Sequence, residues 1–175
     1  MNALVFLSTI DYKLSTMHRD CVLVLDTIRS AHNTGSMFRT ADGAGVSRII
    51  LTGYTPAPID HKGRARADIA KVALGAEVAI PWTQMESPME ALKQLKQEGY
   101  KILALEKAPG ATSLFAYEAP EKFALFVGNE VEGIPEEVLQ ASDAVLEIPM
   151  GGMKESLNVS VAAGVALYHL LKQVG

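Results

Sequence analysis

The hydrophobic positions of this chain fall into short runs, separated by stretches in which apolar residues recur every three or four positions. The short runs are rich in branched aliphatic residues, which predicts β-strands, and they lie at 21–25, 48–52, 77–80, 101–105, 123–127 and 144–148. Helical spacing occurs at 34–44, 68–74, 87–98, 135–140 and 158–173. Such alternation predicts an α/β fold with a mainly parallel sheet flanked by helices on both faces.

The last predicted helix, at 158–173, is apolar nearly all the way round. Val159 and Ala166 belong to one apolar stripe, while Val161 and Tyr168 extend the apolar surface well beyond it. A helix of this kind needs cover on two sides. We therefore expect it to pack on its own sheet and against a partner chain.

Composition limits the domain organisation and the compartment. With 175 residues, of which 49% are hydrophobic, the chain can bury the core of one domain but not of two. We assign that domain to residues 21–175, after a short N-terminal extension at 1–20. The first residues lack a basic leader and a long apolar run, and the single Cys21 has no disulfide partner. These features predict a cytoplasmic protein with no membrane segment, in which Cys21 is a small core side chain.

The formal net charge of -4 argues against a general nucleic-acid-coating protein, because phosphate binding depends on Lys and Arg. Any binding of nucleic acid must therefore be local. One stretch could supply it, with cations at Lys62, Arg64, Arg66 and Lys71. The alternative is an ordinary solvated loop, which is the more common role of such a short charge run.

Three glycine-containing polar stretches follow predicted strands, at 26–39, 128–133 and 149–158. In open α/β sheets the carboxyl ends of the strands form the edge where ligands bind. Glycines there let a ligand approach the main chain, whose N–H and C=O groups can recognise a planar base. None of the three matches the dinucleotide-binding fingerprint or the phosphate-binding P-loop, which disfavours a nucleotide-dependent oxidoreductase.

The same three stretches resemble the signature motifs of the TrmH/SpoU branch of the SPOUT methyltransferases, in the same order and at similar distances. The motifs are Asn33-x-Gly35-x-x-x-Arg39, then Gly128-Asn129-Glu130-x-x-Gly133, then Ile148-Pro149-Met150 leading to Ser156-Leu157-Asn158. The resemblance extends over residues 22–171. It implies a SPOUT-type domain with a deep C-terminal trefoil knot, which general topology rules would not suggest.

The resemblance also implies a cofactor and a partner. S-adenosylmethionine would lie in the knot, held mainly by main-chain groups, and the protein would be a homodimer whose active site mixes residues of both subunits. The positions carried over as cofactor contacts are Leu105, Glu106, Gly128, Ile148, Met150 and Leu157. No metal is implied, and the four histidines lack metal-ligand spacing.

The implied reaction is methylation of a ribose 2′-hydroxyl in RNA, not DNA, with Arg39 as the catalytic residue. A guanidinium hardly ever deprotonates, so stabilisation of the forming alkoxide is favoured over a role as base. Asn33, Glu130, Ser156 and Asn158 would orient Arg39, the ribose and the loops. Four of these residues also have a structural alternative: Asn33 and Asn158 could be helix caps, Arg39 half of a surface ion pair, and Glu130 a helix-dipole partner.

The RNA acceptor is less defined by the sequence. Many ribosomal RNA enzymes of this branch carry a separate RNA-binding domain before the catalytic one, and residues 1–20 are too short to be such a domain. This favours transfer RNA as the substrate. The alternatives are a ribosomal RNA 2′-O-methyltransferase and a non-catalytic knotted RNA-binding protein.

Overall fold

The computed structural model describes residues 19–171 of the chain. Its strands are β1 (Asp20–Asp26), β2 (Arg48–Thr52), β3 (Trp82–Met85), β4 (Lys101–Leu105), β5 (Thr112–Ser113), β6 (Lys122–Val127) and β7 (Ala144–Glu147). These seven strands form one sheet in the order β3-β2-β1-β6-β4-β7-β5, and every pair of neighbouring strands is parallel. The predicted α/β class and parallel sheet are confirmed.

Helices cover both faces of the sheet. They are α1 (Ala31–Ala44), α2 (Ala67–Ala73), α3 (Ala76–Ala79), α4 (Pro88–Gln97), α5 (Glu136–Ala141) and α6 (Val159–Leu171), with a 3₁₀ turn at Leu114–Ala116. One core contains side chains of α1, α2, α3 and α6, and the other contains those of α4 and α5. The two cores are separated by the sheet.

The central strand β1 is buried on both sides because β2 and β6 flank it and helices lie above and below it. Alternate residues serve alternate cores: Leu23 and Leu25 belong to one, Val22 and Val24 to the other. A strand buried on both faces reads as a continuous apolar run, which is why this one was visible in the sequence. Cys21 is fully buried at its start.

Helix α1 begins three residues before its predicted start, and its cap differs from the expected one. The Ser30 hydroxyl accepts a hydrogen bond from the Asn33 backbone N–H at 3.2 Å, so Ser30 is the N-cap and Asn33 lies inside the first turn. Gly45 ends the helix in a left-handed conformation with φ 83°, as its position in the sequence predicts. The side chain of Asn33 is therefore not used as a cap for this helix.

The strand predicted at 77–80 is wrong. Residues Ala76–Ala79 form the single helical turn α3, which follows two left-handed residues, Leu74 and Gly75. Strand β3 begins after Pro81 and is a partly exposed edge strand. The short strand β5 at Thr112–Ser113 was not predicted.

The fold begins slightly earlier than the domain boundary that we assigned from the sequence. Two residues placed in the N-terminal extension belong to the fold: Asp20 opens β1, and the Arg19 guanidinium donates to the Leu170 carbonyl at 2.8 Å. The rest of the extension, at 1–18, and the end of the last predicted helix, at 172–173, lie outside the described residues. Among residues 19–171, no helix combines the length and the apolar character that crossing a membrane requires.

Candidate functional site

The loops that follow β4, β6 and β7 enclose a cavity of about 310 Å³ at the carboxyl edge of the sheet. Its wall includes all six positions expected to contact a cofactor: Leu105, Glu106, Gly128, Ile148, Met150 and Leu157. Glu130, Ser156 and Asn158 also line it. Residues far apart in the sequence therefore meet here because parallel strands deliver their following loops to one edge.

Three of the polar residues singled out from the sequence are joined by hydrogen bonds beside this cavity. The Asn33 Nδ2 donates to Glu130 Oε1 at 2.6 Å, and the Asn158 Nδ2 donates to Asn33 Oδ1 at 3.3 Å. Asn33 is 9% exposed, whereas Glu130 and Asn158 are exposed. We call these three residues the polar cluster. It presents a fixed carboxylate and amide groups to the solvent side of the cavity.

Asn158 combines two roles that the sequence left as alternatives. Its Oδ1 accepts from the Ser160 backbone N–H at 2.9 Å, which caps the start of α6. Its Nδ2 remains available for the bond to Asn33. The cap therefore fixes the orientation of an amide that belongs to the polar cluster.

Asn129 holds the loops of the site together, although it was not among the site residues predicted from the sequence. It is 5% exposed, and its Nδ2 donates to the Thr27 carbonyl at 3.0 Å and to the Tyr54 hydroxyl at 2.6 Å. Its Oδ1 accepts from the backbone N–H groups of Val131 and Glu132. The loops after β1, β2 and β6 are thus connected through one amide. Its sequence signal was its place in the second motif, directly before Glu130.

Close backbone packing shapes the floor of the cavity. A Cβ at Gly128 would lie 2.6 Å from the carbonyl carbon and oxygen of Gly133, so only glycine fits there. Gly133 has φ +71° and lies against the carboxylate of Glu106, which accepts from the Ile134 N–H at 3.0 Å. Glu106 therefore joins the loop after β4 to the loop after β6, besides lining the cavity.

A buried carboxyl lies under these loops at the end of β1. Asp26 is 1% exposed, and its Oδ1 accepts from the Thr52 hydroxyl at 2.7 Å. Burial raises the pKa of Asp26, and the hydrogen bonds from the hydroxyls of Thr52 and Thr27 oppose that rise. The next residue, Thr27, has the positive φ of 49° that a β-branched side chain rarely adopts.

The third loop is the most open part of the site. Residues 151–158 are all exposed, and the Met153 side chain is fully so. Lys107 Nζ and Glu155 Oε2 are 3.7 Å apart, which brings this loop close to the one after β4. Ser156 lines the cavity from this exposed segment. Within residues 19–171, no three side chains of His, Cys, Asp or Glu are grouped so as to hold a metal ion.

Arg39 is not part of this cavity. It follows Asn33 by six positions on α1, which corresponds to about 9 Å along the helix axis and a rotation of about 240°, and its side chain is exposed. The next residue, Thr40, is where α1 approaches α6, since a Cβ at Gly164 would lie 3.4 Å from its side chain. Along α1, Arg39 is thus placed away from Asn33, the α1 residue of the polar cluster.

The predicted RNA-binding cations are only partly free. Arg64 donates twice to Asp60, at 2.9 and 2.8 Å, and Arg66 donates twice to Asp68, at 3.1 and 2.7 Å. Lys62 and Lys71 are exposed. The two carboxylates offset much of the positive charge that the sequence run suggested.

Comparison with known proteins identifies the family. The SpoU rRNA Methylase family matches residues 20–168. A curated relative, the 23S rRNA (guanosine-2'-O-)-methyltransferase RlmB of Neisseria meningitidis, is 34% identical over 152 residues, which are 87% of this chain and 58% of that protein. The chain thus spans less than two thirds of that relative.

Solved structures share the fold. The AdoMet-bound rRNA methyltransferase of Sinorhizobium meliloti superposes with a TM-score of 0.78 at 28% identity, covering 88% of this chain and 56% of that one. A structure described as giving insights into the 2-OH methylation of C/U34 on tRNA has a TM-score of 0.75 at 30% identity, covering 89% and 96%. Together with the motifs around the cavity, these matches show that the chain belongs to the SpoU rRNA methylase family.

Proposed function

We propose that this protein transfers a methyl group from S-adenosylmethionine to a ribose 2′-hydroxyl of RNA. The observation that carries the proposal is the position of the polar cluster, Asn33, Glu130 and Asn158, directly beside a cavity lined by every expected cofactor contact. Family membership supports the same chemistry. A non-catalytic RNA-binding role would not need the cavity and the cluster side by side.

The cavity suits the proposed cofactor. Its volume of about 310 Å³ lies within the usual range of small-molecule sites. Apolar side chains of Leu105, Ile148 and Leu157 would cover a planar base, and the backbone of Gly128 also lines the cavity. When bound, S-adenosylmethionine supplies an electrophilic methyl group on a positively charged sulfur.

The polar cluster would hold the acceptor ribose. Glu130 is fixed by Asn33, and Asn33 in turn by Asn158, so the exposed carboxylate and amides are preorganised and lose little freedom when RNA binds. Ser156 lines the same wall from the open third loop. In this proposal these four residues orient the hydroxyl towards the cavity.

Arg39 would act from a second copy of the chain. Its side chain is exposed on α1 and does not line its own cavity, and α6, which packs on α1 near Thr40, has an apolar surface on which Val161 is 51% and Tyr168 40% exposed. A symmetric dimer through this surface would cover the apolar stripe and could bring Arg39 to the partner's polar cluster. There the guanidinium would stabilise the alkoxide that forms as the hydroxyl loses its proton.

The strand order supports the proposed trefoil knot. β7 lies between β4 and β5, which are consecutive in the sequence. The loop from β4 to β5 must therefore cross β7, near Leu146, whose carbonyl accepts from the Glu106 N–H at 2.9 Å. The segment that follows β7 passes this loop on its way to α6, and the Lys107–Glu155 ion pair lies at that crossing. We propose that the segment threads the loop.

For the RNA substrate, the relatives favour ribosomal RNA over the transfer RNA that chain length suggested. The curated relative is named for 23S rRNA, and the matched family is the SpoU rRNA Methylase family. Transfer RNA stays as the second candidate because the structure concerned with C/U34 of tRNA is matched over 96% of its length. Either substrate agrees with the proposed cytoplasmic location.

The cations near 62–71 would contribute to RNA binding through Lys62 and Lys71 directly. Arg64 and Arg66 would have to exchange Asp60 and Asp68 for phosphate groups, so their net gain is smaller. The contribution of this region to RNA affinity is expected to be modest and salt-dependent.

Nucleotide-resolved mapping of 2′-O-methylation in cells with and without the protein tests the proposed function. We expect one ribose of ribosomal RNA to lose its methyl group in the deletion and to regain it when the wild-type chain is restored. Loss at a transfer RNA position would instead select the second candidate.

The matched control is restoration with Glu130→Gln, which keeps the size of the side chain but removes the carboxylate of the polar cluster. We expect little or no recovery of the methyl group at equal protein level. Unchanged methylation of all ribosomal and transfer RNA in the deletion, together with no binding of S-adenosylmethionine in calorimetry, would contradict the proposal.

A further inference from the structure

Three aromatic side chains that lie away from the central strands, Trp82, Phe115 and Tyr54, have different surroundings. Trp82 packs against one of the two cores, and Phe115 meets His169 edge-on with ring centroids 5.4 Å apart. Tyr54, which follows β2, is 58% exposed, although its hydroxyl accepts a hydrogen bond from the buried Asn129 at 2.6 Å. This combination of a fixed hydroxyl and an open ring is what an aromatic binding surface requires.

The hydrogen bond holds the Tyr54 ring in one place. Asn129 is 5% exposed and is itself fixed by the Thr27 carbonyl and by two backbone N–H groups, so the tyrosine hydroxyl is attached to a rigid part of the loop. A tyrosine has only two side-chain rotations, and one anchored end removes most of that freedom. Its exposed ring can then contact a ligand with little further loss of entropy.

The strand order places this ring next to the polar cluster. Along the carboxyl edge of the sheet, Tyr54 follows β2, Asn33 follows β1 and Glu130 follows β6, while the cavity extends over the ends of β6, β4 and β7. Along this edge the aromatic ring comes first, the polar cluster second and the cavity third. A nucleotide whose ribose lies at the cluster would have the cavity on one side and the Tyr54 ring on the other.

This inference rests on the proposed function. We infer that Tyr54 is a stacking surface for an RNA base beside the methylated ribose, and that its hydroxyl also positions Asn129 and thereby the loop that carries Glu130. Proteins read single-stranded RNA by stacking unpaired bases on aromatic side chains. Tyr54 is then a binding and positioning residue that does not take part in proton or methyl transfer.

The two contributions separate in a pair of variants. Tyr54→Phe keeps the ring and removes the hydroxyl, whereas Tyr54→Leu removes both. Steady-state methylation of the RNA fraction that the wild type modifies gives KM and kcat, and calorimetry gives the affinity for S-adenosylmethionine. We expect Tyr54→Leu to raise the KM for RNA about tenfold, the loss of one stacked base, while Tyr54→Phe stays within about threefold. Both should lower kcat to a similar extent and leave cofactor affinity unchanged.

Equal KM values for the Phe and Leu variants would overturn the inference. Both variants lose the hydroxyl that contacts Asn129, so equal values would mean that the ring itself does not bind RNA. In that case the wild type still methylates RNA, and the proposed function stands. A wild-type protein that methylates neither ribosomal nor transfer RNA overturns the proposed function, and the assignment of Tyr54 with it.

Discussion

At the scale of single residues, Asn129 accounts for much of the geometry of the site. It uses both N–H groups and accepts two further hydrogen bonds on its carbonyl oxygen, so this buried amide has no unmet polar group. Its partners Thr27 and Tyr54 lie 102 and 75 positions away in the chain. No spacing rule could have identified those partners, although the motif that contains Asn129 was visible in the sequence.

Asp26 gives a residue-level prediction about pH. Because burial raises its pKa in the folded protein, the folded state binds more protons than the unfolded state above the ordinary pKa, and stability falls as pH rises towards the raised value. Asp26→Asn removes this charge and keeps the oxygen that accepts from Thr52. Urea unfolding of the variant should therefore show a higher free energy of unfolding than the wild type at neutral pH, and a smaller difference in acid.

Asp60→Asn is the matched control, for which we expect a change of opposite sign in the free energy of unfolding. The hydrogen bonds from Arg64 lower the pKa of Asp60, so its charged form stabilises the fold above the ordinary pKa, and that contribution is lost in acid. Asp60 lies on the surface, and we expect only a small destabilisation at neutral pH. A variant at Asp26 that loses stability at neutral pH would contradict the assigned effect of burial.

At the scale of elements, the sequence predicted the sheet well where strands are buried and poorly at its edges. The runs at 48–52 and 101–105 match β2 and β4 because both are buried and apolar. The edge strand β3 carries the polar Thr83 and Gln84, so its apolar pattern is weak. The nearby apolar residues Val78 and Ile80 gave a stronger strand pattern, and the strand was predicted there instead. In the structure Ile80 is buried at the end of a helical turn, so its apolar character reflects core packing and not a strand.

The loop after β6 gives a prediction at this scale. Gly128→Ala would place a Cβ 2.6 Å from the backbone of Gly133, so the loop must shift. We expect at least a tenfold loss of affinity for S-adenosylmethionine in calorimetry, because this loop forms part of the cavity wall. Gly151→Ala, in the loop after β7, adds a Cβ with nothing within 4 Å and should bind normally. Similar affinities for the two variants would show that the loop adapts.

At the scale of the whole molecule, the topology assembled the site that the motifs suggested. Parallel strands bring the loops after β1, β6 and β7 to one edge, which is why Asn33, Glu130 and Asn158 meet although up to 125 positions separate them. The position of Arg39 could not be obtained in the same way. In the proposed dimer its place relative to the polar cluster would depend on how two copies associate, and the apolar pattern of α6 indicated only that this helix needs cover on two sides.

Mixing two inactive variants tests whether the site is shared between copies. Arg39→Ala should abolish methyl transfer and leave cofactor binding intact, and Glu130→Ala should do the same. If Arg39 serves the partner's polar cluster, a co-expressed mixture contains mixed dimers with one complete site each. Equal amounts should then recover about a quarter of wild-type activity.

A mixture of Arg39→Ala with the double variant Arg39→Ala/Glu130→Ala is the control, and it should stay inactive. Absence of recovery in the first mixture, with mixed dimers demonstrated by mass spectrometry, would place Arg39 and Glu130 in the same subunit's site. A monomer in sedimentation at assay concentrations would exclude the shared site altogether.

The placement of β7 between two earlier strands has a consequence for synthesis on the ribosome. When β4, β5 and β6 have emerged, the gap that β7 fills is still open, and the loop after β7 with its share of the cavity wall has not been made. At that stage the chain also lacks α6, whose side chains complete one of the two cores. We therefore expect a chain that stalls before Ala144 to be only partly folded and to have no complete cavity for the proposed methyl donor.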